Sequence, residues 1–227
     1  MARDQLPIER FSALSAISNC QHGFVGRLPG IEVASDKAEA LRRLDAVHGD
    51  ARRLLGVGQL PFITAEQVHG REVAVIDAPV QNDRVFAACD GFVSNQPGVL
   101  LGIYVADCAA VYIVDPIRRA FALVHSGRKG TELGIAGVAI DLLAQRFASE
   151  SRDLVVQVSP CIRPPHYETD FAAEIVRQCR ERGVCQVYDA GICTACQPES
   201  YYSYRAEKGR TGRMLALLSM ADDASLR

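Results

Sequence analysis

The sequence lacks a strong charge of either sign, a long apolar run and any tryptophan. Its 25 lysines and arginines against 27 aspartates and glutamates give a net charge of −2. This balance excludes non-specific binding to nucleic acid or to an anionic membrane surface, because both need a strong basic field. The longest apolar candidate, 99–114, is interrupted by Asp107 and is too short to span a membrane. We therefore expect a soluble protein with no nucleic-acid or membrane partner.

The N-terminus lacks the apolar core of a secretion signal, since Asp4, Glu9 and Arg10 lie where that core would be. The 8 cysteines are therefore interpreted as reduced thiols of a cytoplasmic protein, not as a disulfide framework. Cys193 and Cys196 form a CxxC, which is typical of a redox pair or of half a zinc knuckle. Since no second CxxC accompanies it, the pattern assigns no role to this pair.

Short apolar segments alternate with turn residues along the chain, without an internal repeat or a low-complexity linker. We therefore predict a single domain over 1–227, with a loose tail at 1–10. Strands outnumber helices and fit neither a regular βαβ alternation nor a sandwich, so the predicted class is α+β, with mixed sheets flanked by helices. Helices are predicted at 35–55, 132–147 and 171–182, and strands at 61–65, 72–76, 91–94, 99–105, 111–114, 120–124 and 154–158.

Three residues that can bind a metal lie at the ends of predicted strands: His69, Cys108 and His125. Gly70 and Gly127 follow the two histidines closely and allow the backbone to turn sharply into a cleft lined by loops. Two imidazoles and one thiolate suit zinc, and they leave the fourth tetrahedral position open, as in catalytic sites. Their spacing matches no zinc-finger pattern, so a buried structural thiol and surface imidazoles are the alternative interpretation at this point.

The same residues resemble conserved blocks of a known family. QVHG at 67–70, ADC at 106–108 and HSGRKG at 125–130 resemble the QVHG, ADC and HAGWRG blocks of the laccase-domain family. Its members are also described as polyphenol-oxidase-like proteins or multi-activity purine nucleoside phosphorylases. The resemblance runs from about residue 20 to 218, and the chain is identified as a divergent member. Further similar blocks, in the same order, are HGFVGR at 22–27, PCI at 160–162, CT at 193–194, YSYR at 202–205 and TGR at 211–213.

The resemblance implies a cytoplasmic zinc enzyme with the laccase-domain fold, in which His69, Cys108 and His125 hold the metal and copper can substitute for zinc. The implied substrates are purine nucleosides and phosphate. The implied reactions are phosphorolysis of adenosine, inosine or guanosine, adenosine deamination and methylthioadenosine cleavage, with weak phenol oxidation in vitro. A multicopper laccase is excluded, because the 5 histidines of the chain cannot supply a mononuclear and a trinuclear copper centre.

Roles for the residues around the metal also follow from the matched blocks. Cys108, His125 and Asp107 are the predicted catalytic residues, with Asp107 as a hydrogen-bond acceptor for a ligating imidazole. The predicted substrate-binding residues include three cations as candidates for holding phosphate. The substrate-binding set is Arg27, Gln67, Arg128 and Lys129.

The chain departs from the family pattern beside these residues. Arg128 and Lys129 replace the tryptophan and arginine of HAGWRG, which removes an aromatic wall for a purine base and exchanges a bidentate guanidinium for a point charge. Two alternatives therefore stay open. One is a metal-free hydrolase or amidase with Cys108 as nucleophile and His125 as base, editing peptidoglycan precursors as some bacterial members do. The other is a non-enzymatic member that binds a metabolite.

Overall fold

Residues 6–221, which the computed structural model describes, form two mixed six-stranded sheets with helices packed against them. The predicted α+β class is confirmed. The helices are α1 (Ser12–Ser15), α2 (Lys37–Leu54), α3 (Arg128–Glu132), α4 (Ile135–Phe147) and α5 (Phe171–Glu181), with 3₁₀ helices at Ser151–Asp153 and Thr194–Cys196. The strands are β1 (Ile8–Glu9), β2 (Cys20–Val25), β3 (Phe62–Ala65), β4 (Ala74–Ile76), β5 (Arg84–Phe86), β6 (Gly91–Ser94), β7 (Leu100–Val105), β8 (Ala109–Asp115), β9 (Ala120–Ser126), β10 (Val155–Val158), β11 (Gln186–Asp189) and β12 (Met214–Met220).

The two sheets combine antiparallel and parallel pairs. The first sheet has the order β1-β2-β12-β7-β3-β5, in which β3 runs parallel to both β7 and β5. The second sheet has the order β11-β10-β8-β9-β6-β4, in which the two outermost pairs are parallel. Because β3 and β7 are neighbouring parallel strands, the loops that follow their carboxyl ends leave the first sheet side by side.

The central strands of the second sheet are buried on both faces. Ala110, Tyr112 and Val114 of β8 join the core between the two sheets, and the alternate residues of that strand pack with α4 and α5. Side chains of a strand alternate between its two faces. Because both faces of β8 are buried, almost the whole strand is apolar. The Tyr112 hydroxyl donates a hydrogen bond of 2.9 Å to the Gly23 carbonyl in β2, which links the sheets across the core.

The predicted loose tail at 1–10 overlaps ordered structure. Ile8 and Glu9 pair antiparallel with Val25 and Phe24 as strand β1. Residues 1–5 of the predicted tail lie outside the described residues, and its residues 8 and 9 belong to β1. None of the helices within 6–221 is long and apolar enough to cross a membrane.

Candidate active site

The fold brings His69, Cys108 and His125 together. Their candidate ligand atoms all lie within 4.8 Å of one another. His69 follows β3, Cys108 lies in the turn between β7 and β8, and His125 lies near the end of β9, opposite Ala110 at the start of β8. The two imidazole rings meet edge to face, with their centroids 4.8 Å apart. Convergence of the three residues, which the sequence alone left as an inference, is therefore a property of the fold.

The two loops that carry His69 and Cys108 have unusual backbone conformations. Gln67, His69 and Asp107 have φ angles of 62°, 60° and 79°, in the left-handed region that residues other than glycine seldom occupy. Such backbone conformations cost free energy, and they persist where the surrounding structure holds them in place. The Gln67 side chain supplies part of that support, because its amide donates to the Tyr104 carbonyl at 2.6 Å and accepts from the Tyr104 N–H at 3.0 Å.

Asp90 joins the His69 loop to His125. Its side chain has no solvent exposure, and Oδ1 accepts hydrogen bonds from the His69 backbone N–H at 2.9 Å and from His125 Nδ1 at 2.8 Å. Oδ2 accepts from the backbone N–H groups of Val68 and Gly70, at 3.2 and 2.7 Å. Burial raises the pKa of Asp90, but the bonds from His125 and Gly70 outweigh it and hold the pKa below its usual value. Asp90 is thus a buried carboxylate that fixes the His69 backbone and the His125 ring.

The charges of the cluster favour a deprotonated thiol. Burial raises the pKa of Cys108, but the positive charge and hydrogen bonds of His125 and His69 lower it to about 6. Burial lowers the pKa of His125, whereas Cys108 and Asp90 raise it to about 9. Near neutral pH the cluster without a metal is therefore a thiolate and an imidazolium held by a carboxylate. The thiolate is the form of cysteine that both binds metals and attacks electrophiles.

The cluster fits a single metal ion. A thiolate and two imidazoles are ligands that zinc and copper prefer, and the Nδ1 bond to Asp90 leaves Nε2 of His125 as the atom for a metal. Within 6–221 these three residues are the one group of three or more potential ligands close enough to share an ion. All five histidines lie in that range, and three of them are outside the group.

The predicted contact between Asp107 and a ligating imidazole is wrong. The Asp107 Oδ1 atom accepts from the Thr194 hydroxyl at 2.8 Å, and its Oδ2 atom accepts from the Arg205 N–H at 2.7 Å. Asp107 therefore fixes the loop before β8 to two later segments, and Asp90 makes the imidazole contact instead. Thr194 belongs to the 3₁₀ helix between Cys193 and Cys196, whose thiols are free.

A cavity of about 780 Å³ opens over the three potential ligands. Gln67, Arg128 and Lys129 line it, as predicted for substrate-binding residues, although the amide of Gln67 is engaged with the backbone. Aromatic side chains also line the cavity, so the absent tryptophan does not leave it without an apolar wall. Other lining residues are Lys37, Tyr104, Tyr167 and Phe171, which lie outside the matched blocks, and Tyr204, Arg205 and Arg213, which lie in the YSYR and TGR blocks.

Arg27 is not one of the residues that line this cavity. Its guanidinium forms an ion pair of 2.7 Å with Glu207 and lies 4.5 Å from the centre of the Tyr202 ring. Arg27 instead borders a separate depression beside β1. The structure therefore does not bring Arg27 to the three potential ligands, and its part in holding phosphate stays a prediction.

Gly127 leaves the space that the Cys108 thiol occupies. A Cβ atom on Gly127 would lie 2.5 Å from Cys108 Sγ, well inside the contact distance. We expect Gly127→Ala to displace the thiol and to lower metal binding by about 10-fold or more, which is the range for disturbed metal surroundings. The change is measured as metal per chain by atomic absorption, with circular dichroism to verify folding.

Gly49→Ala is the matched control for this substitution. Gly49 lies within α2, and its added Cβ would meet only ordinary contacts of 3.6 Å or more. Alanine there should stabilise the helix by about 0.5–1 kcal/mol without changing the metal content. Full metal occupancy in folded Gly127→Ala would show that the thiol is not held in the predicted position.

The chain resembles known proteins over most of its length. A family model described as "Multi-copper polyphenol oxidoreductase laccase" matches residues 33–176 and 167–221. Purine nucleoside phosphorylase YlmD of Geobacillus stearothermophilus is 26% identical over 235 residues, which cover 86% of this chain and 83% of that protein. A protein of Streptomyces coelicolor, also named purine nucleoside phosphorylase, is 28% identical over 190 residues, covering 72% of this chain and 77% of that protein.

The fold is shared with a solved structure. The crystal structure of YlmD from Geobacillus stearothermophilus matches with a TM-score of 0.78 at 22% sequence identity, covering 96% of this chain and 100% of that chain. At this identity the likeness shows the architecture: the same arrangement of two mixed sheets and helices.

Proposed function

The chain belongs to the multi-copper polyphenol oxidoreductase laccase family, and on that premise we propose that it is a zinc enzyme that cleaves purine nucleosides with phosphate. The observation that carries the proposal is the His69, Cys108 and His125 cluster beneath a cavity with aromatic and cationic walls. The relatives named purine nucleoside phosphorylase support the choice of substrate class. Adenosine deamination and methylthioadenosine cleavage belong to the same proposal, because those substrates share the purine.

In the proposed reaction, each part of the cavity has a separate task. His69, Cys108 and His125 hold the metal, which supplies Lewis-acid chemistry when bound. Tyr167 and Phe171, whose rings meet at 90° with centroids 5.7 Å apart, offer an apolar surface to the purine. During phosphorolysis the bond between the purine nitrogen and C1′ of the ribose breaks, and a phosphate oxygen bonds to C1′. The purine leaves with the electron pair and takes up a proton.

We also propose that the enzyme works in the cytoplasm. All 8 cysteines lie within the described residues and all are free, including the closely spaced Cys193 and Cys196. Free thiols are usual in a reducing compartment. Copper can replace zinc at the same site, since it binds nitrogen and sulfur ligands more tightly.

The second candidate function is a cysteine hydrolase or amidase that acts on peptidoglycan precursors. It is favoured by one observation: the Cys108 thiol lies within 4.8 Å of a ring nitrogen of His125, whose charge lowers the pKa of the thiol, and this pairing activates a nucleophilic cysteine. In this alternative, His125 moves protons and Asp90 orients its ring, as the third member of a triad does.

Product analysis tests the proposed function. We expect protein purified without chelator to convert inosine, guanosine or adenosine to equal amounts of free base and ribose 1-phosphate, only when phosphate is present. Products are separated by liquid chromatography and identified by mass. Zinc-loaded protein that turns over no purine nucleoside would contradict the proposal. Rapid loss of amidase activity on alkylation of Cys108 in metal-free protein would then establish the second candidate.

A further inference from the structure

Five cations line the cavity, and they differ in whether a carboxylate neutralises them. Arg128 pairs with Glu132 at 2.8 Å, and Arg205 pairs with Glu168 at 2.9 Å. Within 6–221, no carboxylate forms an ion pair with the remaining three. The unpaired cations are Lys37, Lys129 and Arg213.

Arg213 is the most buried of the three, with 9% of its surface exposed. One terminal nitrogen, Nη1, donates to the carbonyls of Thr211 and Gly212 at 2.8 and 2.9 Å. These bonds fix the plane of the guanidinium, and they leave Nε and Nη2 without a protein acceptor in the described part of the chain. A buried guanidinium with two free donors on one edge matches the fork that binds an oxyanion in two places.

Lys37, on α2, adds a second positive charge to the same cavity. It is the first residue of α2, where the helix dipole disfavours a cation, and among residues 6–221 its Nζ donates to the Glu66 carbonyl alone, at 3.2 Å. Desolvation and the positive charge of Arg213 both lower the pKa of Lys37. Both side chains line the same cavity, so their positive charges face a shared space. Such a pair is stabilised when an anion lies between them.

We infer that Lys37 and Arg213 form the subsite for a tetrahedral oxyanion, which is inorganic phosphate if the proposed phosphorolysis is correct. The subsite lies in the same cavity as Cys108, whose negative charge acts on Arg213. Phosphate held there is beside the metal ligands, where the ribose carbon must be attacked. This assignment replaces Arg27, which is paired elsewhere, and does not require Lys129.

Direct binding of inorganic phosphate tests the subsite. Isothermal titration at constant ionic strength is applied to the metal-loaded protein and to Lys37→Gln, Arg213→Gln and Arg213→Lys. Loss of one charge-assisted hydrogen bond corresponds to about a 10-fold increase in Kd or more, which we expect for both glutamine variants. Arg213→Lys should recover part of the affinity, because it keeps the charge and loses the fork. Circular dichroism and metal content verify that each variant folds.

Arg42→Gln is the matched control, since it removes one positive charge from α2 at an exposed position paired with Glu39. It should leave the Kd for phosphate within about 2-fold of the parent value, because a distant exposed charge is screened by salt. Equal phosphate binding by the parent protein, Lys37→Gln and Arg213→Gln would overturn the inference. A larger loss of phosphate affinity in Lys129→Gln than in Lys37→Gln would also overturn it, because that result would place the anion nearer to α3.

Kinetics separate failure of the subsite from failure of the proposed function. With inosine as substrate, the glutamine variants should raise the KM for phosphate far more than the KM for inosine. Phosphorolysis with an unchanged KM for phosphate in those variants would overturn the subsite and leave the function intact. If the parent protein shows no phosphorolysis but both glutamine variants bind phosphate more weakly than it does, the proposed function is overturned and the subsite is supported. Tight binding of inosine 5′-monophosphate that inorganic phosphate cannot displace would overturn the assignment to inorganic phosphate.

Discussion

Replacing Cys108 by alanine is expected to remove the bound zinc and to lower nucleoside phosphorolysis by more than about 100-fold. Disturbing a group that merely supports a ligand already costs about 10- to 100-fold in metal affinity or activity. Loss of a ligand should cost more, since Cys108 is the one anion among the three and its candidate ligand atom lies within 4.8 Å of the other two. Metal per chain is measured on protein purified without chelator, and turnover is measured on the same sample.

His69→Ala and Cys185→Ala complete this experiment. Like Cys108→Ala, the single variant His69→Ala should lose both zinc and activity, because the three candidate ligands are close enough to share one ion. Cys185 is an exposed free thiol outside the cavity, so Cys185→Ala should retain both. Retained activity in metal-free His69→Ala, combined with inactivity of Cys108→Ala, would contradict the metal site and favour the thiol nucleophile.

The strands that deliver the ligands could be predicted from the sequence because their surroundings are simple. β8 and β9 are buried on both faces, so nearly every residue is apolar, and turn residues mark where each strand ends. His69, Cys108 and His125 stand out as polar or thiol residues at those ends. Their assembly at one place follows from the parallel pairing of β3 with β7 and the antiparallel pairing of β8 with β9.

Other parts of the fold gave no clear local signal. β12, Met214–Met220, consists largely of leucine, methionine and alanine, residues that also favour helices, so its apolar run has no distinctive period. It becomes a strand because it pairs with β2 on one side and with β7 on the other. This is a tertiary effect that a window of seven residues does not contain.

The supporting residues of the site were missed for a related reason. Lys37 and Asp90 lie outside every matched block, and Arg213 ends the TGR block, to which the sequence alone assigns no role. Asp90 had one weak signal, an acidic residue directly before the buried strand β6. By contrast, Asp107 was favoured for its position next to Cys108, yet its carboxylate turns towards Thr194 and Arg205. Position at a strand end therefore indicates the three candidate ligands, whereas adjacency to Cys108 favours Asp107 over Asp90, which is the residue that contacts His125.

The second large effect is expected for Asp90→Asn, which changes the side chain's charge and removes an acceptor while preserving its size. The carboxylate accepts four hydrogen bonds while fully buried, among them those from His69 N and His125 Nδ1. An asparagine has one acceptor oxygen, so its NH₂ group must face a donor, and at least one buried N–H loses its partner. We expect metal affinity to fall by about 10- to 100-fold. The free energy of unfolding should fall by about 1–3 kcal/mol.

Asp115→Asn distinguishes this positioning role of Asp90 from a general effect of altering a buried aspartate. Asp115 is equally buried, but it ends β8 at the far side of the strand from Cys108, and its Oδ1 accepts from the N–H groups of Ile117 and Arg118. Its Oδ2 has no hydrogen-bond partner among the described residues, so an amide nitrogen can replace that atom without losing a bond. Asp115→Asn should therefore keep the parent metal affinity, measured by competition with a chromophoric chelator. Asp90→Asn should need far less chelator to release its zinc, because His125 is then free to rotate and the His69 backbone loses its anchor. Equal metal affinity in the two folded variants would mean that Asp90 stabilises the loop without orienting the ligands.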